Sequence, residues 1–406
     1  YSPIVNTRSF GDDPEKIIAL SVSVIRGMQE HGMIATAKHF PGDGFDDRDQ
    51  HICTTVNPLN EEDWFRWSGR MFQAAIDAGV MSIMVGHIAL PFLDPGDDRR
   101  GAPPATVSRR IITDLLREKM GFEGIVVTDA MNMGGITQWA DRESLLEACV
   151  NAGCDMLLFP DTAMDHAHLL RALEAGRISE ERLDQSIRRV LRIEARLGLH
   201  EQAGSVEPPS AATSERFEVA ARTVAEKALT VVRERSQVLP LNLGPGKKVL
   251  SFHVRSMPEE SHVDDMDRLL AATGAEVVRA TEEDLKNLPT VDTVNDFEAL
   301  IIHFVICPRW MTSRIRPNGT YMGAVAGLLR LQHPRTIVVS FGSPYVHHEI
   351  PAAPTYINAY SCDLHTQQAV LKLLRGEIEA VGVSPVDLDA HGAHNRLAVR
   401  LCERRV

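Results

Sequence analysis

The chain has 406 residues, enough for two or three domains each with its own core, and its 44% hydrophobic and 24% charged content is that of a folded globular protein rather than a disordered one. Its net charge of −12, from 43 basic against 55 acidic residues, excludes a general nucleic-acid surface, which needs clustered Lys and Arg. The longest apolar runs, such as 299–307, have strand length and fall far short of a membrane span.

In the first 200 residues, apolar strands alternate with amphipathic helices. Asp12-Asp13-Pro14 caps a helix to about Gly32, with Ile17, Ile18, Val22, Ile25 and Met28 at helical spacing. A strand is predicted at 33–40, a helix at 61–78 and a strand at 81–88. A Pro/Gly-rich loop covers 89–107, and Ser108 caps a helix ending at Gly121. Next come strand 124–128, helix 142–152, strand 155–159 and two helices, the second at 180–197 behind Ser179. Repeated βα units predict a parallel sheet, as an open doubly wound sheet or as a barrel.

The polar stretch 201–214, with Pro208-Pro209-Ser210, reads as a linker between a first domain (1–200) and a second (215–406). The second is again α/β. It starts with a helix at 217–233, followed by strands near 249–254, 299–307, 336–341 and 355–360, with helices 263–273, 321–331 and 366–374 between them. The six cysteines (Cys53, Cys149, Cys154, Cys307, Cys362 and Cys402) form no Cys-x-x-Cys pair, which argues against a disulfide framework or a zinc site. Reduced thiols fit the cytoplasm. The chain opens at Tyr1 with no signal-like segment, so its start reads as internal, and a targeting segment would lie ahead of it.

Lys38-His39-Phe40-Pro41-Gly42-Asp43-Gly44, running on to Asp49-Gln50-His51, is the most informative stretch. A strand delivers Lys38 and His39 to its carboxyl end, where parallel α/β folds keep their active sites. If the segment is extended, Asp49 and His51 share a side, and the carboxylate can orient the imidazole for acid–base work. Asp46, Asp47, Asp49 and His51 are also metal donors, but one imidazole among crowded carboxylates matches no dedicated spacing. Asp46 and Asp47 read as a solvated acidic loop. Gly124-Ile125-Val126-Val127-Thr128-Asp129 is a second candidate, a hydrophobic strand ending in a carboxylate. The following Ala130-Met131-Asn132-Met133-Gly134-Gly135 is a poor helix start, so Asp129 is not simply a helix cap.

These segments, with Pro104-Ala105-Thr106-Val107-Ser108 and Gly121-Phe122-Glu123-Gly124 leading to Asp129, resemble glycoside hydrolase family 3 in its β-N-acetylhexosaminidase branch. So do Asn6-Thr7-Arg8-Ser9-Phe10-Gly11, Gly86-His87-Ile88 and Asn151-Ala152-Gly153-Cys154-Asp155. In the later region, Ser340-Phe341-Gly342-Ser343-Pro344-Tyr345 and Gln367-Gln368-Ala369 carry the likeness on. The resemblance implies an α/β fold, the C-terminal half of a (β/α)₈ TIM-type barrel followed by an α/β sandwich domain. The family's early strands, and an Asp that grips the sugar, precede the Arg-Ser-Phe-Gly segment, and no position here matches that Asp.

The resemblance further implies a retaining exo-β-N-acetylglucosaminidase acting on cell-wall fragments or chitin oligosaccharides. Asp129 is then the nucleophile and His51, held by Asp49, the acid/base. Lys38, His39 and Arg8 bind sugar hydroxyls. His87 is either a substrate contact or a core histidine. Asp43 stands where the family often has a His. No metal or organic cofactor is required, and the partner is a carbohydrate. Two alternatives stay within reach of these residues: a phosphorylase with phosphate as acceptor, and a sugar-binding homologue without catalysis. A dehydrogenase is disfavoured because no Gly-x-Gly-x-x-Gly follows a strand.

Overall fold

The first helix, Pro14–Glu30, begins where its sequence signals place it: Asp13 accepts the Glu15 backbone N–H at 3.0 Å and Pro14 opens the first turn. The computed structural model describes residues 2–201, 208–255, 264–281, 283–284, 294–311, 319–331, 333–350 and 352–388. By their internal contacts these divide into two units, Tyr1–Val206 with Arg309–Arg314, and Glu207–Pro308 with Ile315–Val406.

In the first unit the strands are β1 (Thr36–Phe40), β2 (Thr55–Val56), β3 (Ser82–Val85), β4 (Ile88–Ala89), β5 (Ile125–Ala130) and β6 (Met156–Leu158). β1, β3, β5 and β6 form one parallel sheet in that order, and β2 pairs with β4 in a small ribbon. The helices between them bury one face of the sheet. Phe40, Ile83, Val85 and Val126 pack with Trp64, Phe72, Ile111, Leu115 and Leu146 in one core. β5 runs two residues beyond the predicted strand, so Asp129 lies within it rather than just after it.

The second unit has β7 (Thr230–Glu234), β8 (Lys248–Arg255), β9 (Glu276–Arg279), β10 (Ala299–Val305), β11 (Thr336–Ser340) and β12 (Thr355–Asn358). The sheet order is β7-β12-β11-β10-β8-β9, parallel except for β7, which runs against β12. Helices cover both faces and divide the core into two hydrophobic layers.

The predicted linker and first helix of this unit need correction. Ser210 caps a helix spanning Ala211–Ala228, accepting the Thr213 N–H at 3.2 Å. Residues 211–214 are therefore helical. The predicted end at residue 233 is strand instead, because Thr230-Val231-Val232 is β-branched and pairs along the edge of β12. Among the described residues no helix is long and apolar enough to cross a membrane.

Candidate active site

Strand register brings the polar residues together. Phe40 is level with Val85, and Val85 with Thr128, so β1, β3 and β5 end side by side. His39, His87 and Asp129 thus leave three neighbouring strand ends. The Gly86 N–H bonds the Phe40 carbonyl at 2.8 Å, extending that alignment past β3. The Pro41-Gly42 turn is pinned from below: Trp64 Nε1 donates to the Pro41 carbonyl at 2.7 Å, and Asn57 Nδ2 to that of Gly42 at 3.2 Å.

His39 is buried between two carboxylates. Its Nδ1 lies 3.2 Å from Asp43 Oδ2, and its Nε2 lies 3.6 Å from Asp129 Oδ2. The residue at the departing position, Asp43, therefore orients the imidazole that faces Asp129. Gln50 supports it, donating from Nε2 to Asp43 Oδ2 at 3.0 Å while its Oε1 accepts the His87 N–H at 3.2 Å. The other oxygen of Asp129 accepts the Ala130 N–H at 2.8 Å, fixing the carboxylate on its strand.

Asp49 and His51 do pair, but not by strand alternation. Residues 49–53 form a turn, with the Ile52 and Cys53 N–H groups bonding the Asp49 carbonyl at 2.9 and 3.0 Å. Asp49 Oδ1 accepts the His51 backbone N–H at 2.8 Å and lies 2.7 Å from His51 Nδ1. A short side chain closing onto the backbone two residues ahead is an Asx-turn, which competes with extended structure. The carboxylate can only accept, so Nδ1 is the donor and Nε2 is left for chemistry. Asp49 is buried, while the His51 ring is about one-quarter exposed, as an acid/base needs.

Asp46 is no solvated loop residue. Its carboxylate forks onto Arg48 and accepts the Val56 N–H at 2.9 Å, closing the acidic loop onto β2. Burial raises its pKa, but the bonds from Arg48 and from the Arg48 and Val56 backbone N–H groups outweigh that, and the carboxyl titrates below its ordinary value.

The loop bearing His51 is stitched to the segment after Asp129. The Gly134 N–H bonds the His51 carbonyl at 2.8 Å, the Gly135 N–H bonds that of Gln50 at 3.0 Å, and Thr54 Oγ1 donates to the Gly135 carbonyl at 2.7 Å. Glycine is required by this approach. A Cβ on Gly134 would sit 2.3 Å from the Ile52 oxygen, and one on Gly135 would sit 2.6 Å from the Gln50 oxygen.

His87 lies beneath this junction with both ring nitrogens occupied. Nε2 donates to the Ala130 carbonyl at 3.0 Å, so Nδ1 accepts from Thr106 Oγ1, also at 3.0 Å. Burial pushes its pKa down to about 4, opposed by the Ala130 bond and the Asp129 charge and reinforced by His39 and His51. It is fully buried, with both ring nitrogens bonded within the protein.

Lys38 and Arg8 sit outside this network. Lys38 is exposed on β1, and Arg8 is exposed with its Nη1 donating to the Ile4 carbonyl at 3.2 Å in its own turn. The N-terminal segment does reach the site's margin, since Val5 Cγ1 is 4.0 Å from where a Gly44 Cβ would lie.

Sequence reasoning missed Gln50 and the segment Arg309–Arg314, which clusters with the first unit although it lies far along the chain. The Met311 N–H donates to Asp49 Oδ2 at 2.8 Å, and the Trp310 ring lies 6.1 Å from that of His51. The only clue was an exposed-type aromatic shortly after a strand end, at Cys307-Pro308-Arg309-Trp310.

Residues 2–193 match the family model described as the glycosyl hydrolase family 3 N terminal domain. A beta-N-acetylglucosaminidase/beta-glucosidase of Cellulomonas fimi is 33% identical over 418 aligned positions, covering 95% of this chain and 72% of that one. The chain belongs to glycoside hydrolase family 3. A beta-hexosaminidase of Pseudomonas aeruginosa is 33% identical over 178 residues, 44% of this chain, and the matched part spans about half (51%) of that protein. Among solved structures, the beta-glucoside phosphorylase BglX with bound 2FGlc is 28% identical with a TM-score of 0.85, covering 96% of this chain and 72% of that one. A family 3 beta-N-acetylglucosaminidase from Paenibacillus sp. str. FPU-7 is 26% identical with a TM-score of 0.79, over 95% and 73%. As a family 3 member the protein is a glycoside hydrolase with an α/β fold.

Proposed function

We propose that this family 3 protein is a retaining exo-β-N-acetylglucosaminidase that removes terminal β-linked N-acetylglucosamine from cell-wall fragments or chitin oligosaccharides. One observation carries the reading: the loop holding an oriented, partly exposed imidazole is hydrogen-bonded, at His51 and Gln50, to the segment that directly follows the Asp129 strand. The Cellulomonas and Pseudomonas relatives bear names of this activity.

In the chemistry proposed, ionised Asp129 attacks the anomeric carbon as the glycosidic C–O bond breaks, and His51 gives a proton to the departing oxygen. Water then displaces Asp129 from the sugar, losing its proton to His51. Asp49 keeps the His51 Nδ1 proton in place so that Nε2 handles the transfer. His39 is proposed to meet a sugar hydroxyl next to Asp129, with Asp43 and Gln50 orienting it. Lys38 and Arg8 are proposed to contact the sugar from the margin, and His87 to support the strand ends. Trp310 is proposed to flank the leaving group.

The first unit is proposed to be the C-terminal half of a (β/α)₈ barrel and the second an α/β sandwich. Strands β1, β3, β5 and β6 follow one another in a single direction, as barrel winding requires, whereas the second sheet reverses its order about β8.

A second reading is phosphorolysis. It is favoured by an imidazole in place of the usual carboxylic acid/base, because a carboxylate would repel a phosphate acceptor, and by likeness to a phosphorylase. Incubating the protein with an aryl β-N-acetylglucosaminide, with and without phosphate, tests both. Free sugar in either buffer supports hydrolysis, and a sugar 1-phosphate formed only with phosphate supports phosphorolysis. Binding without release would refute both and leave a sugar-binding protein.

A further inference from the structure

The second unit carries a polar cluster of its own. Ser251 and His253 project from β8 and His303 from β10, and the two histidines are register partners. Alternation sets them on one sheet face together with Val249, Ala299 and Ile301, beneath the helix Asp264–Ala271 that packs on it through Met266 and Leu270. Asp267 of that helix reaches into the cluster. Its Oδ1 accepts from Ser251 Oγ at 2.6 Å and lies 3.0 Å from His253 Nε2.

His303 is wholly buried, and among the described residues neither of its ring nitrogens has a hydrogen-bond partner, nor does His253 Nδ1. The two rings stand 4.7 Å apart. An imidazole sealed in an apolar layer with both nitrogens idle is disfavoured against the Ile or Val that the rest of this face uses, unless something takes a lone pair. β9 lies on one side of β8 and β10 on the other, so chain winding reverses between the two histidine-bearing strands.

One ligand atom from each of His253, Asp267 and His303 lies within 4.8 Å of the others. We propose that these three residues form a binding site for a divalent transition-metal ion of the Zn²⁺ class, a two-histidine, one-carboxylate set tying β8 and β10 to the covering helix. His253 and His303 each supply an imidazole nitrogen and Asp267 its Oδ1, with the Ser251 hydroxyl orienting the carboxylate. Arg279 is the opposing charge. Its guanidinium sits 3.8 Å from Asp267 Oδ2, the oxygen that the metal does not use.

The test is titration of the chelator-treated full chain with Zn²⁺ by calorimetry, and with Co²⁺ by visible absorption. One equivalent should bind and raise the unfolding midpoint. Affinity should fall by more than the about 10- to 100-fold that loss of an outer-shell partner costs, both in Asp267→Asn and in His303→Gln, and stay unchanged in His51→Ala, which removes an imidazole of the proposed catalytic site. X-ray absorption of Zn²⁺-loaded His51→Ala should report two imidazole nitrogens, a readout that holds even if the His303 or Asp267 variants misfold. No uptake by the wild-type chain, equal uptake by wild type and folded Asp267→Asn, loss of binding in His51→Ala, or a coordination shell with fewer than two imidazoles would each overturn the proposal.

Discussion

Asp49 grips His51 twice with one oxygen and the Met311 backbone with the other: Oδ1 lies 2.8 Å from the His51 N–H and 2.7 Å from its Nδ1, and Oδ2 accepts the Met311 N–H at 2.8 Å. An amide has only one accepting oxygen and cannot satisfy three donors. Asp49→Asn should therefore cost turnover on the order of 10²–10⁴-fold, the share of general acid–base catalysis, while the fold persists. The loss should be greatest for substrates with poor leaving groups. Equal loss across a leaving-group series would show that Asp49 does not act through proton transfer.

The two glycines after Asp129 tie the His51 loop to the segment that follows β5. Gly134→Ala should displace the Ile52 carbonyl, with a stability loss of about 1–3 kcal/mol and a matching fall in kcat. Gly27→Ala is the control, since it lies within the first helix with open space around its Cβ, and should stabilise by about 0.5–1 kcal/mol. Denaturant midpoints of the two variants should move in opposite directions.

His87 should make the protein acid-sensitive. Its folded-state pKa of about 4 lies below the ordinary 6.5, so the unfolded chain binds the extra proton. The stability it contributes is complete above pH 6.5 and declines as pH falls toward 4, by about 3 kcal/mol at most. His87→Gln, which can keep a donor toward Ala130 and an acceptor toward Thr106, should shrink the stability difference between neutral and acidic buffer. An unchanged difference would mean the acid sensitivity comes from other groups.

Trp310 is 64% exposed, with its ring 6.1 Å from that of His51. Trp310→Ala should raise KM for aryl glycosides by about 2- to 10-fold, the worth of one aromatic contact, and change kcat little. A fall in kcat with KM intact would instead make it a positioning residue for His51.

Much of this was legible in the sequence because local signals and tertiary needs agree there. Helix Arg142–Ala152 falls on the predicted residues, with Asp141 accepting the Ser144 N–H as its cap. Asp129 reads as a site residue because a hydrophobic strand delivers a carboxylate to the strand ends. Long-range consequences were not legible. Nothing near Asp49 says that its second oxygen serves Met311, 262 positions away. The partners of His87, Thr106 and the Ala130 carbonyl, were not legible either, and Asp46 looked solvated because the backbone it closes onto belongs to Val56. The alternation argument for Asp49 and His51 reached the right pair by the wrong geometry, since a tight side-chain turn brings together the same two residues.

The central chemistry is tested most directly by labelling. A fluorosugar aryl β-N-acetylglucosaminide, with a good leaving group and a slowed second step, should leave one glycosyl unit on the peptide containing Asp129, found by mass spectrometry of the digested protein. His51→Ala should still accumulate that adduct, because an activated leaving group needs no proton. Turnover of the reagent with no adduct, or an adduct on any carboxylate other than Asp129, would contradict the nucleophile assignment and the retaining mechanism built on it.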